Sequence, residues 1–317
     1  MIMSEQPNPI ILRTEKLSRR YGSQLALDSL DLTVRRGEVF GYIGPNGAGK
    51  TTTFRILCGL LEPTSGRAFI ADNDVTGNRD LIKQLVGYLP DNFGVYPTLR
   101  VWEYLDFFAA AYRIPRAQRK ERIDRCLSIA LAEEFRDKFM GALSRGMKQR
   151  VGIAKTLLHD PQVLILDEPA ATIDPRARIQ MRRLLRDLAA LGKAVLVSSH
   201  ILPELADVCD TVGILNNGKL VACGPVQEIM RTVRQRRVVE IRVLGDAAAA
   251  ASVLQDAPGT WESVPAGAAD GVLRYEVRAD ERQLSESLQL LLREGVRVVS
   301  YHEVPADLED VFMALTK

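Results

Sequence analysis

Residues Gly44 to Thr52 read GPNGAGKTT and carry the spacing G-x-x-x-x-G-K-[ST]. Glycines at that spacing let successive backbone N–H groups turn inward around phosphate oxygens, and the start of a following helix adds attraction for an anion. In such a loop Lys50 would reach the β- and γ-phosphates, and the Thr51 hydroxyl would ligate Mg²⁺. Asn46, Gly47, Ala48, Gly49 and Thr52 belong to the same cradle. A second stretch, VLILDEP from Val163 to Pro169, drives an apolar run into adjacent carboxylates, which is costly unless something offsets their charge. In a phosphate-binding ATPase an acid at the tip of a neighbouring strand holds Mg²⁺, and Asp167 fits that role. Glu168, expected on the other side of the chain, can polarise the water that attacks the γ-phosphate. Lys50 and the metal would supply the compensating positive charge.

These groups meet only if strands and helices bring a loop and a strand tip together. Strand-like runs around IILRTEKL and LDLTV predict an antiparallel layer, and GEVFGYIG predicts a strand leading into the loop. A helix is expected from Lys50 to Leu60, stopped by EPTSG. RAFIA and VGYLP read as strands. From Val101 to about residue 131 the spacing of Val101, Tyr104, Leu105, Phe108 and Tyr112 predicts helix, broken at Pro115. A third helix opens at Ser144, with Met147, Val151, Ala154 and Leu158 on one face. VLIL and KAVLVSS read as buried strands flanking the helix PRARIQMRRLLRDLAAL, and TVGIL-NNG-LVACG reads as a hairpin. The fold class expected is α/β: a mixed sheet core with an antiparallel β layer and an inserted helical subdomain at about 98–160. Beyond RTVRQRRVV the order strand, helix, strand, strand, helix, strand predicts a small α+β domain of ferredoxin-like type, with a last helix at ADLEDVFMALT. The expected boundaries are 1–232 and 233–317.

Composition narrows the function classes. The chain of 317 residues has a formal net charge of +2, so no nucleic-acid partner is expected, and Arg231, Arg234, Arg236 and Arg237 read as a solvated linker. The opening MIMSEQPNPIILRTEK lacks the basic start and apolar run of a signal peptide, and no apolar stretch approaches the roughly 20 residues that span a bilayer. A cytoplasmic chain is expected. Cys58, Cys126, Cys209 and Cys223 lie far apart and read as free buried thiols rather than a metal site.

LSRGMKQR, from Leu143 to Arg150, resembles the signature of ABC ATPases, and it precedes VLILDEP as it does in that family. SSH at Ser198–His200 ends the next strand where the family has its switch histidine. Tyr21 stands where the family stacks an aromatic on adenine, and Asp174 in ATIDP matches the loop that communicates across a dimer. The resemblance spans about residues 10 to 230. The ending LEDVFMALT is similar to that of a branch whose ATPase chain pairs with separately encoded membrane subunits, as in drug-resistance exporters.

The resemblance implies ATP and Mg²⁺ as ligands and a pair of ATPase subunits, most simply a homodimer, sandwiching two ATP molecules. Each would lie between one copy's phosphate loop and the Ser144/Gly146 helix start of the other. His200 would contact the γ-phosphate, whereas His159 and His302 read as structural. A separate polytopic permease would hold the chain at the cytoplasmic face of the membrane. Phe93, Val95 and Tyr96 are the candidate permease contacts. Alternatives are a soluble ABC ATPase acting on a macromolecule, or a nucleotide-gated regulatory module with little turnover.

The sequence departs from the family at three places. Asp91 replaces the usual glutamine, and could ligate Mg²⁺ through water or repel the γ-phosphate. Hydrolysis is expected to survive, because Lys50, Thr51, Asp167, Glu168 and His200 are all present. Arg145 and Met147 replace glycine and glutamine in the signature, and Ala171 and Thr172 replace a small-residue and glycine pair.

Overall fold

VLIL can be apolar throughout because a strand buried on both faces has no polar side to present. The computed structural model describes residues 8–171, 173–234, 237–263 and 271–304. It divides into two compact units, up to Val226 and from Gln227 on.

The first unit begins with β1 (Ile10–Tyr21), β2 (Gln24–Leu30), β3 (Thr33–Arg35), β4 (Val39–Ile43) and α1 (Lys50–Leu57). β5 (Ser65–Ile70), β6 (Asn73–Asp74), α2 (Arg79–Leu85) and β7 (Val86–Leu89) follow. α3 (Val101–Ala111), α4 (Arg116–Ile129) and α5 (Arg145–Leu157) then form the helical block. β8 (Val163–Leu166), α6 (Pro175–Ala190), β9 (Ala194–Ser199), α7 (Leu202–Ala206), β10 (Thr211–Asn216) and β11 (Lys219–Pro225) complete the unit.

One sheet is antiparallel, ordered β2-β1-β5-β6 with β3 also on β1. The other is ordered β11-β10-β4-β9-β8-β7, parallel except for β11. One core joins both sheets through α1: Leu12, Leu17 and Leu30 share it with Phe40, Phe54, Ile165 and Leu196. β4, β8 and β9 therefore all end at one edge of the parallel sheet, where ligands bind in open α/β folds.

Local details differ from the sequence expectation. LDLTV is not one strand, since it contains the end of β2 and the start of β3. QLALDSL, unmarked in the sequence reading, is β2 itself. α1 stops at Leu57 rather than Leu60, because Gly59 adopts φ 68° and turns the chain before EPTSG is reached. Cys223 is exposed while the other cysteines are buried, because β11 is an edge strand with a solvated face.

α8 (Val226–Arg234) begins at the last residue of the first unit, and β12 (Arg237–Leu244), α9 (Ala247–Gln255), β13 (Thr260–Ser263), β14 (Val272–Arg278), α10 (Glu281–Arg293) and β15 (Arg297–Val304) follow in the second. The sheet order β13-β14-β12-β15, antiparallel throughout, is the ferredoxin-like split arrangement. Its core sets Val239, Ile241 and Val277 against Leu254 of α9 and Leu291 of α10. The predicted helix ADLEDVFMALT lies outside the described residues, as do Thr172, Arg236 and the side chains of Arg231, Arg234 and Arg237.

Candidate active site

β4 delivers the chain into the glycine-rich loop with every residue buried. Gly47 at φ 83° and Gly49 at φ 111° then take left-handed backbone that costs side-chain-bearing residues energy. At Gly49 a Cβ would lie 2.6 Å from the Ala26 carbonyl, so the loop fits against β2 only with glycine there. At Gly47 a Cβ would meet nothing within 4 Å, which leaves that backbone open toward the cleft. Lys50 opens α1 and is buried, with Nζ donating to the carbonyls of Gly44 (2.5 Å) and Pro45 (3.2 Å).

The acid pair follows β8. The Asp167 side chain is only 3% exposed, and its carboxylate is fully engaged. Oδ1 accepts from Ser198 Oγ at 2.6 Å, and Oδ2 accepts from Thr51 Oγ1 at 2.9 Å. Ser198 Oγ in turn accepts from the Glu168 backbone N–H at 2.9 Å. One Glu168 oxygen lies 3.4 Å from Lys50 Nζ and the other 2.9 Å from His200 Nδ1. Glu168 does not point away from Asp167, as strand alternation suggested. β8 ends at Leu166, and the φ of 51° at Glu168 turns its carboxylate into the same cleft. A left-handed glutamate is uncommon and strained, and such strain concentrates at functional positions.

Thr51 and Asp167 offer a hydroxyl and a carboxylate on one spot. That set suits Mg²⁺, which keeps several waters and takes one or two protein oxygens beside phosphate. No cluster of three or more His, Cys, Asp or Glu side chains suited to a metal occurs among the described residues. Around the site, burial and then the charge of Asp167 push the Cys58 thiol and the Tyr88 hydroxyl well above their ordinary values. Both stay protonated, so neither adds a negative charge.

A cleft of about 360 Å³ brings together Tyr21, Asn46, Gly47, Gly49, Lys50, Thr51, Thr52, Asp91, Asp167 and Glu168. Tyr21 stands at the tip of the β1–β2 hairpin opposite Gln24, with the Arg19 guanidinium over its ring. Ala48 is buried instead, its N–H donating to the Pro45 carbonyl and its own carbonyl accepting from Gly218. Ser144, Gly146 and Asp174 are not among the residues lining this cleft. Ser144 caps α5 by accepting from the Met147 N–H, and Asp174 caps α6 by accepting from Ala177 N–H. Gly146 is buried close to Ile173 and Ala177. Asp91 lines the cleft, but its carboxylate accepts from Arg145 at 2.9 Å. His159 is structural, hydrogen-bonded to the Val86 carbonyl and stacked on Tyr112.

Sequence reasoning missed Gln24, Ala26 and Pro45, which also line the cleft, and the clasp made by Ser198. The pair of serines closing the apolar run AVLV was the available signal for Ser198, which the structure buries to 1% exposure.

Comparison with known proteins agrees with this geometry. Residues 27–171 match the family described as ABC transporter, and residues 224–316 match a C-terminal domain described as ATP-binding protein DrrA1-3-like. The chain is 36% identical over 307 residues to the Nod factor export ATP-binding protein I of Ralstonia nicotianae, covering 96% of this chain and 94% of that protein. It is 35% identical over 307 residues to the bacitracin transport ATP-binding protein BcrA of Bacillus licheniformis, covering 96% and 97%. Among solved structures, cbiO1 of Clostridium perfringens, part of the ABC transporter complex cbiONQ, superposes with a TM-score of 0.65 at 30% identity, covering 71% of this chain and 93% of that one. The glycine-rich loop, the acid pair and His200 on this fold, with relatives of such identity along nearly their whole length, make the chain a member of the ABC transporter family as an ATP-binding, ATP-hydrolysing subunit.

Proposed function

We propose that this chain powers export through a separate membrane permease, hydrolysing ATP in the cleft beside Lys50. The observation that carries the catalytic part is Glu168, held between Lys50 and His200 with its carboxylate turned into the cleft. There it would take the proton of the attacking water as oxygen bonds to the γ-phosphorus and ADP leaves. Thr51 and Asp167 would hold Mg²⁺, whose charge would offset that of the triphosphate. Lys50 would orient the β- and γ-phosphates, and Tyr21 would lie against the adenine.

The relatives named for Nod factor export and bacitracin transport support the exporter reading. Ser144, Gly146 and Asp174 lie apart from the cleft of their own chain, as expected if they complete the site of a second copy. No helix among the described residues is long and apolar enough to cross a membrane, so attachment to the cytoplasmic face would run through the permease. Phe93 and Val95 line a separate cavity of about 210 Å³ beside the helical block. Tyr96 is half exposed and packs on Phe107. This surface would receive a permease segment.

The test is affinity capture of the full chain from detergent-solubilised host membranes, with and without ATP. Recovery of a polytopic membrane protein in near-equal amount supports the assignment. Recovery of soluble partners alone would replace transport by action on a macromolecule.

A further inference from the structure

Among the described residues lining the nucleotide cleft, the acids are Asp91, Asp167 and Glu168, and the cation is Lys50. Asp167 is tied to Thr51 and Ser198, and Glu168 to Lys50 and His200. Asp91 uses none of these groups. Its Oδ1 accepts instead from Nη2 of Arg145 at 2.9 Å, a residue 54 positions later in the chain. A cleft that receives a triphosphate is weakened by a third carboxylate unless that charge is offset, because like charges repel. The pair has little to do with folding, since both side chains are 46% exposed and exposed pairs contribute little stability. Its position is more telling. Asp91 lines both the nucleotide cleft and the adjoining cavity, and Arg145 reaches it from the cavity side.

We infer that Arg145 is a positioning residue for the ATPase reaction. It cancels the charge of Asp91 and holds that carboxylate at the rim, so the triphosphate meets a neutral pair instead of a third acid. This rests on the nucleotide reading of the cleft. Arg145 is the first residue of α5, whereas Asp91 follows β7. Nucleotide affinity therefore becomes sensitive to where the head of α5 sits.

The experiment measures equilibrium binding of mant-ATP with Mg²⁺ to the full chain, alongside Mg²⁺-dependent hydrolysis. Its variants are Arg145→Ala, Arg145→Lys and the double change Asp91→Asn with Arg145→Ala. Arg145→Ala is expected to weaken binding about fivefold, and Arg145→Lys to stay within about twofold of the parent. The double variant is expected to return to within about twofold as well, because removing the acid removes the need for its partner. Unchanged binding in Arg145→Ala overturns the inference. So does a double variant as weak as Arg145→Ala, since Arg145 would then act on something other than Asp91. A parent chain that binds no mant-ATP, with Lys50→Ala indistinguishable from it, would instead remove the nucleotide reading itself.

Discussion

Glu168 pays for its place with a left-handed backbone at φ 51°, and the return is a carboxylate fixed on opposite sides by a lysine and a histidine. Glu168→Gln keeps the shape and removes the basicity, so ATP hydrolysis should fall at least about 100-fold while mant-ATP binding persists. Retained turnover would show that another group activates the water. Ser198 acts one step back, orienting Asp167 and the Glu168 N–H together. Ser198→Ala should raise the Mg²⁺ concentration for half-maximal hydrolysis about tenfold, the usual scale for losing a residue that orients a metal ligand. A magnesium titration of activity reads this directly. His159 is a control for pH. Burial lowers its pKa below the ordinary 6.5, partly opposed by its bond to the Val86 carbonyl. Below 6.5 the unfolded chain binds the proton first, so the contribution to stability is fully present above that value and is lost as pH falls through the lower folded value. Melting temperature should therefore drop between about pH 7.5 and about pH 5.5 more steeply in the parent than in His159→Gln.

At the scale of elements, the site is a meeting of strand ends. β4, β8 and β9 run parallel side by side, so the phosphate loop, the acid pair and the Ser198–His200 segment emerge at one edge. The sequence displayed these elements well, because buried parallel strands are short apolar runs and the loop and caps have their own residue chemistry. The break at Pro115 and the N-cap at Ser144 both appear in the structure. Legibility failed where conformation depended on neighbours. QLALDSL lacks a clean alternation, yet it pairs with β1 through a bulged register. Gly49 tests the junction of loop and sheet. Gly49→Ala places a methyl 2.6 Å from the Ala26 carbonyl and 2.8 Å from Leu27 Cδ2, at φ 111°. It should lower unfolding free energy by about 2 kcal/mol in urea and abolish mant-ATP binding.

At the scale of the molecule, a hydrophobic core around Phe54 and Leu196 shares no residue with the one around Ile241 and Leu291. The proposed nucleotide site belongs to the first. Calorimetry should resolve two transitions, and ATP with Mg²⁺ should raise only one of them, because a ligand stabilises the unit that binds it. A single transition shifted as a whole would mean that the units unfold together.

The sequence by itself determined the chemistry and the order of the elements. GPNGAGKTT, VLILDEP, LSRGMKQR and SSH are local, and a phosphate loop or a buried strand is written in consecutive residues. Only the tertiary structure decided how those pieces use each other. It turned Glu168 at φ 51° onto Lys50 and His200, recruited Ser198, and joined Asp91 to Arg145. Each outcome depends on a backbone angle or a partner remote in sequence, and no window of neighbouring residues carries that information.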